Sequence, residues 1–415
     1  MLQIMNKLRP GATSSVAPCS RSAFGGRSKL TNWRSQSFTE AAKEANATAA
    51  VIRNAKRTRA LQARRARQVP PIFTLKHLSH LTGVNYGFLR DCVERYGEEP
   101  YKVFRILKRQ IPGETTPRYR MISVPDDRLM ATQRWINAQI LQKLDVHDAS
   151  TAFKSGCDIV EAASRHCGCR WLIKMDIVNF FESVSEQQVF HVFSAAGYQP
   201  LIAFELARIC TRMGQHSFAR RGRKWMSPGQ PDPAIPEYHS SLLGHLPQGA
   251  PTSPMLANLA MVRFDEIVTA IAADRGLVYS RYADDLSFST DDDAFDRSQA
   301  QTLISLVKSE LQNHGFRSHY AKTKICPPGS RRIVLGLLVD GDEPRLSKSY
   351  RKKLDQHLHF MSPNSVGPVA HAAHKNFTTV YGLKNHVEGL IIHAAQVNRT
   401  YAQTAWDKFN RIEWP

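Results

Sequence analysis

The stretch Tyr279-Ser280-Arg281-Tyr282-Ala283-Asp284-Asp285-Leu286-Ser287-Phe288-Ser289 constrains the fold of this chain more than any other. Leu277, Val278 and Tyr279 lead in, two adjacent carboxylates follow, and then Leu286 and Phe288 alternate with serines. Alternation at period two predicts half-buried strands. Asp-Asp between two such runs suits the turn of a hairpin. Two acids at a hairpin tip repel each other unless a cation or basic group joins them. Such a tip has two readings. It is a solvated turn, or it holds a divalent metal, since hard cations such as Mg²⁺ prefer carboxylate oxygens.

A second acid decides between them. Trp171-Leu172-Ile173-Lys174-Met175-Asp176-Ile177-Val178-Asn179-Phe180-Phe181 reads as a buried strand that carries one carboxylate. An Asp in an apolar run is costly unless it is paired or bound to metal. Phe180 and Phe181 are neighbours and point to opposite sides, so one of them belongs to the core.

A chain of 415 residues has room for two or three domains, and 42% hydrophobic content supplies a sizeable core. The formal charge of +20 points to a polyanionic partner. No apolar run of the ~18 residues needed to span a bilayer occurs, so no membrane role is expected. The seven cysteines include no Cys-x-x-Cys pair, which argues against a zinc ribbon and for a reducing compartment. Cys167-Gly168-Cys169 reads as ordinary reduced cysteine.

Residues 1–70 carry fourteen Lys and Arg against Glu40 and Glu44 alone. Their Gly, Ser, Pro and Arg content early on reads as disordered, and 38–67 reads as a helix. A solvated extension, a basic arm on nucleic acid and an acid-poor transit peptide are the three readings. Val69-Pro70-Pro71 marks a boundary. Leu75, Leu78 and Leu81 share a helical face that ends at Gly83, and a second helix spans Phe88 to Tyr96. Strand-like residues around Val103–Ile106 and Arg118–Pro125 flank a Pro112-Gly113 loop, and an apolar stripe from Leu129 to Leu144 marks a helix. Residues 185–245 begin helical and continue into a long Arg220–Pro236 loop. Ser253 as cap with Pro254 in the first turn opens a helix to about Ala272. Ala300–Asn313 is amphipathic, and from Leu346 the chain is basic and helical.

One Asp ending a strand plus Asp-Asp on a hairpin is the ligand set of a palm-type polymerase. With Leu246-Pro247-Gln248-Gly249-Ala250-Pro251-Thr252-Ser253-Pro254 between them, these motifs resemble reverse transcriptases of the bacterial retron type, over roughly residues 70 to 400. The resemblance implies an α+β right-hand polymerase with fingers, a palm built on an antiparallel sheet, a helical thumb and a basic N-terminal extension. In those terms 1–70 is the extension, 71–175 the helical lead-in and fingers, 176–340 the palm (with fingers helices in 185–275), and 341–415 the thumb.

The resemblance also implies site roles. Asp176, Asp284 and Asp285 hold two Mg²⁺ ions, with Asp284 ahead of Asp285 as a direct ligand because neighbouring strand residues alternate faces. Arg120, with Lys108 or Arg118, clamps the triphosphate, for which the guanidinium fork is suited. Phe181 is the aromatic gate against a 2′-hydroxyl. Gln248 and Gly249 contact template and nucleotide, the glycine letting backbone approach the substrate. Lys322 lies on the pyrophosphate side, with Lys324 as the spare. His166 is a backbone or RNA contact rather than a catalyst. The implied function is RNA-directed DNA polymerisation in the bacterial cytoplasm, in anti-phage defence. Its partners are an RNA template and primer, the DNA product, dNTPs, and, in a retron, a dedicated noncoding RNA and an effector protein. Three readings compete with it: a defence reverse transcriptase without a retron RNA, a group II intron-like enzyme, and a non-catalytic RNA-binding scaffold. Two positions depart from the retron pattern: His319 replaces its asparagine, and Val334-Leu335-Gly336 stands where Val-Thr-Gly is usual.

Overall fold

The computed structural model describes residues 35–44, 46–95, 98–107, 119–213, 243–363 and 365–415. Residues 1–34, the Arg220–Pro236 loop, and Lys108 and Arg118 of the clamp lie outside the described residues.

The expected 38–67 helix is two helices, α1 (Ser35–Glu44) and α2 (Ala49–Arg65). Asn46 takes a left-handed φ of 56°, and the Thr48 hydroxyl accepts from Val51 N to cap a fresh start. Neither feature stands out in an alanine-rich run. α2 packs on the body: Ile52, Thr58 and Gln62 are buried, and Gln62 Nε2 donates to Pro70 O at 3.1 Å. Arg65 Nη1 reaches Ser194 O at 2.9 Å. This part of the extension is therefore docked rather than a solvated arm.

Next come α3 (Leu75–Thr82), closed by left-handed Gly83, and α4 (Tyr86–Glu94), capped by Asn85. Strands β1 (Tyr101–Leu107) and β2 (Tyr119–Pro125) form an antiparallel hairpin. The chain continues through α5 (Asp127–Gln139) and α6 (Ile159–Ser164) to β3 (Trp171–Asp176). Helices α7 (Glu186–Ala195) and α8 (Pro200–Cys210) follow, and after the undescribed stretch α9 (Ser253–Ala260) and α10 (Val262–Ala273). The single helix expected to run to Ala272 is thus interrupted at Met261. Ser253 is not its cap: it lies in the first turn, and its hydroxyl donates to Pro247 O at 2.7 Å. Then come β4 (Val278–Tyr282), β5 (Asp285–Thr290), α11 (Arg297–Asn313), a 3₁₀ turn (Tyr320–Lys322) and β6 (Lys324–Cys326).

β4, β5, β3 and β6 make one antiparallel sheet in that order. Its register separates two faces. Tyr279, Arg281, Leu286, Phe288, Ile173 and Met175 share one face, and the five other than Arg281 belong to the main apolar core. Lys174, Asp176, Asp285, Ser287 and Ser280 share the other. Leu172, on that second face, belongs to a second core. The sheet is therefore covered on both sides at one end, which is why β3 reads as a continuous apolar run, while its other end carries acids. β3 enters the sheet at Trp171, so the expected boundary at 175/176 falls inside a strand.

The second core joins a small sheet of β7 (Ile333–Val334), β8 (Leu337–Leu338) and β9 (Arg345–Leu346) to helices α12 (Lys348–Phe360), α13 (Gly367–His374), α14 (Val380–Val397) and α15 (Arg399–Asn410). Among the described residues, no helix is long and apolar enough to cross a membrane.

Candidate active site

Hydrogen-bond register brings the first acid to the other two. Asp176, last in β3, stands directly opposite Asp285, first in β5. Such partners lie about 4.5–5.5 Å apart at Cα. The turn between β4 and β5 is Ala283-Asp284, so Asp284 alone is at the tip and Asp285 is already strand. Asp284 O accepts from Ile177 N at 3.0 Å, which ties the tip to the chain leaving β3. His319 N donates to Asp176 O at 2.7 Å, bringing in the 3₁₀ turn.

The electrostatics of the three acids favour a cation. Burial pushes the Asp284 carboxyl up, and the charge of Asp176 adds to it. Burial likewise raises Asp285, which Lys174 partly offsets. Lys322 Nζ sits 2.6 Å from Asp176 Oδ2. A cation is thus already seated on the first acid, and the set is one that a divalent ion suits. Among the described residues, no three His, Cys, Asp or Glu side chains are drawn together at ion-holding distance.

The other expected site residues surround this row. Phe180 is buried and Phe181 half-buried, as adjacent positions require. Phe181 packs on Phe180 with ring centroids 5.7 Å apart, and on Phe153 at 6.0 Å. Arg120 is exposed on β2, paired with Ile106. Gln248 O accepts from Ser123 N at 2.7 Å, which fastens the Leu246–Pro254 loop to β2. Gly249 has φ of 118°, and an added Cβ would lie 3.0 Å from Ser123 O. A close approach to β2 therefore demands glycine there.

His166 corrects another expectation. It is fully buried, and its ring nitrogens meet hydroxyls rather than backbone, 2.6 Å from Ser280 Oγ and 2.7 Å from Ser289 Oγ. Burial holds its pKa at about 4 rather than 6.5. Below pH 6.5 the unfolded chain takes up a proton that the folded protein refuses. The His166 contribution to stability should therefore fall as pH drops from about 6.5 to about 4, by up to about 1.4 kcal/mol per unit. Urea titrations at a series of pH values should show this slope flattened in His166→Gln, and an unaltered slope would refute the assignment.

Sequence reasoning missed the support beneath the tip. Arg281 is fully buried, with Nε 2.8 Å from Asp265 Oδ1 and Nη2 2.6 Å from Oδ2. Its Nη1 donates to Asn258 Oδ1 at 3.0 Å and to Ala283 O at 3.1 Å. Tyr279 Oη donates to Asp265 Oδ1 at 2.9 Å. Burial opposes the guanidinium's charge, Asp265 more than offsets this, and its pKa ends raised. Ala283 has a left-handed φ of 55°, uncommon for a residue with a side chain. The Arg281 bond to its carbonyl holds the carboxylate turn in that shape.

The profile of the family described as reverse transcriptase (RNA-dependent DNA polymerase) matches residues 106–339, more than half of the 415-residue chain. The chain belongs to the reverse transcriptases. This reverse transcriptase is similar to the Retron Ec86 reverse transcriptase of Escherichia coli, at 27% identity over 341 residues that cover 82% of the chain and 94% of that protein. It is similar also to the Retron Mx65 reverse transcriptase of Myxococcus xanthus, at 30% identity over 347 residues, 82% of the chain and 73% of that protein. A solved telomerase from Candida albicans, in complex with a TWJ fragment of telomeric RNA, aligns at a TM-score of 0.39 and 12% identity over 76% of this chain and 57% of its own.

The reverse transcriptase is of retron type, its activity is RNA-directed DNA polymerisation, and membership implies the right-hand polymerase fold. Its departure at Val334-Leu335-Gly336 has a local structural setting. Leu335 and Gly336, with φ of 50° and 85°, form the two-residue turn between β7 and β8.

Proposed function

We propose that this reverse transcriptase copies a structured noncoding RNA into DNA at the acids of β3 and the β4–β5 turn. The observation that carries the reading is the register that sets Asp176 against Asp285, with Asp284 on the adjoining tip. In this reading the β1–β2 hairpin belongs to the fingers, the four-stranded sheet with α9 to α11 is the palm, and α12 to α15 form the thumb. The basic face of α12, with Lys348, Arg351 and Lys352, suits sequence-independent phosphate contacts.

Asp176, Asp284 and Asp285 would hold two Mg²⁺ ions. Bound there, such ions lower the pKa of the primer hydroxyl and neutralise the triphosphate. The primer 3′-hydroxyl oxygen forms a bond to the α-phosphorus as the bond to pyrophosphate breaks. This chain's part is positioning and charge. Arg120, with Lys108 or Arg118, receives the triphosphate. The Gln248-Gly249 loop, fixed to β2, borders the template and nucleotide. Lys322 is the ammonium this chain offers on the leaving-group side. Phe181 lies under the sugar and excludes a 2′-hydroxyl, the one handle that separates ribo- from deoxynucleotides at a given position.

The Phe181 role is tested by Phe181→Ala, which should admit ribonucleotides, read as the ratio of GTP to dGTP incorporation on poly(rC). An unchanged ratio would reduce Phe181 to packing. The template is tested by sequencing nucleic acid that copurifies with the full chain. DNA joined to one recurrent folded RNA is expected, while its absence alongside active polymerase favours a reverse transcriptase without a retron RNA. A role in anti-phage defence, with an effector partner, predicts that phage plating on expressing cells rises when the acids are replaced.

A further inference from the structure

Between Ala149 and Ser155 the chain makes a short excursion alongside the catalytic hairpin, and it is built to hold one ring. Arg281 N donates to Ala149 O at 2.7 Å, and Thr151 N to Arg281 O at 2.9 Å, so the segment extends the sheet at β4. It then turns sharply. Lys154 N donates to Ala152 O at 2.9 Å, a bond spanning the single residue Phe153, whose φ is 66°. Three-residue turns of left-handed φ are rare and strained for residues with side chains. Neighbours hold this one in place: Asn258 Nδ2 donates to Ala152 O at 2.6 Å, and Gln142 Nε2 to Phe153 O at 3.3 Å. Asn258 also accepts from Arg281, so the turn and the carboxylate tip share one polar support.

The result is a row of aromatic rings along the edge of the acids. Phe153 lies 6.0 Å from Phe181 and 6.4 Å from Tyr282, both tilted, and Tyr282 pairs with Asp285 in the ladder. Phe181 also meets Phe180, at 5.7 Å, which is buried against Phe316 at 6.1 Å and cannot yield. Phe181 thus contacts both a fixed ring and a ring on a strained turn. A gate discriminates only if it cannot swing aside when a 2′-hydroxyl presses on it, because the rejection is steric and a mobile ring yields.

We infer that Phe153 is a positioning residue for nucleotide selection: its ring backs Phe181 and sets how firmly ribonucleotides are refused. The inference rests on the proposed Phe181 gate and adds to it the element that stiffens it. Backbone strain at this position has a function to serve, since glycine would relieve the strain but remove the ring.

The test is single-nucleotide extension of oligo(dG) on poly(rC) by the full chain, comparing kcat/KM for dGTP with that for GTP. Phe153→Leu and Phe153→Gly should each lower this selectivity by about two- to tenfold, the span of one aromatic contact. The loss should come from tighter use of GTP rather than weaker use of dGTP. Phe153→Tyr, which keeps the ring, should restore selectivity. In a Phe181→Ala background, Phe153→Leu should add nothing, since the two act as one unit. Phe153→Gly frees the turn from its left-handed penalty, so a folded protein without the ring is available if the leucine variant is damaged.

A drop in dGTP and GTP use by the same factor would overturn the inference and make Phe153 structural or template-binding. Selectivity unchanged in both Phe153 variants, with Phe181→Ala still relaxed, would overturn the backing role and leave the gate standing. Selectivity unchanged in Phe181→Ala would remove the gate and the inference with it.

Discussion

Asp284→Asn together with Asp285→Asn is expected to lower RNA-templated dNTP incorporation at least about a thousandfold, the scale of losing preorganised charge stabilisation. The same double variant is expected to be as stable as the parent or more so. Burial raises both carboxyls, and Asp176 adds like charge to each. Without a bound cation, their ionised forms are a cost to the fold that the amides do not carry. Loss of activity with gain of stability is what distinguishes a functional acid pair from a structural one. Incorporation and urea unfolding should therefore be measured on the same preparations. An active double variant would refute the acid assignment, and an inactive one that is also strongly destabilised would show the acids to be part of the scaffold.

Arg281→Ala is expected to have the largest effect on stability, about 3–5 kcal/mol, because it leaves Asp265 buried without its counter-charge, with the Tyr279 hydroxyl as its remaining donor. Asn258 Oδ1 and Ala283 O lose a donor as well. Incorporation should fall more than the folded fraction does, since the Ala283 carbonyl belongs to the turn that carries Asp284. A second variant separates the two consequences. Replacing the pair together, Asp265→Leu with Arg281→Met, removes both charges and should cost less stability than Arg281→Ala alone. It should still be impaired in incorporation, because no donor then reaches Ala283. An unfolding free energy within about 0.5 kcal/mol of the parent for Arg281→Ala would contradict the buried pair, since only surface changes are that mild.

The sequence carried this site's acids but not what supports them. The alternation from Val278 to Ser289 and the apolar run into Asp176 determine strands whose pairing brings the acids together. The motif order then selects one topology, and the family match together with the retron relatives bears out the retron-type reading. Short-range signals worked equally well for α3, whose leucines and Gly83 have the expected places. Arg281 went unread because a lone arginine in a strand usually faces water. Yet Tyr279 and Arg281 share one side, and Tyr279 faces the core. A charge on a core face requires a buried partner, a signal that could have been followed to the acids of the preceding helix. Phe153 gave no comparable signal, since nothing in Ala152-Phe153-Lys154 marks a left-handed residue. The helix breaks near Asn46 and at Met261 were hidden by sequences that are helical on both sides. Gly249 was read for a ligand alone, and its close approach to β2 was not foreseen.

The most direct test of the central claim is Mn²⁺ binding followed by EPR, in the presence of oligo(dG)·poly(rC) and a non-hydrolysable dGTP analogue. The claim is that Asp176 serves the same cation site as the acids of the β4–β5 turn, about a hundred residues later in the chain. Asp176→Asn and Asp284→Asn should each weaken Mn²⁺ binding at least about tenfold, the lower end of what lost support at a metal site costs. Equal Mn²⁺ affinity in Asp176→Asn and the parent, with Asp284→Asn impaired, would contradict it.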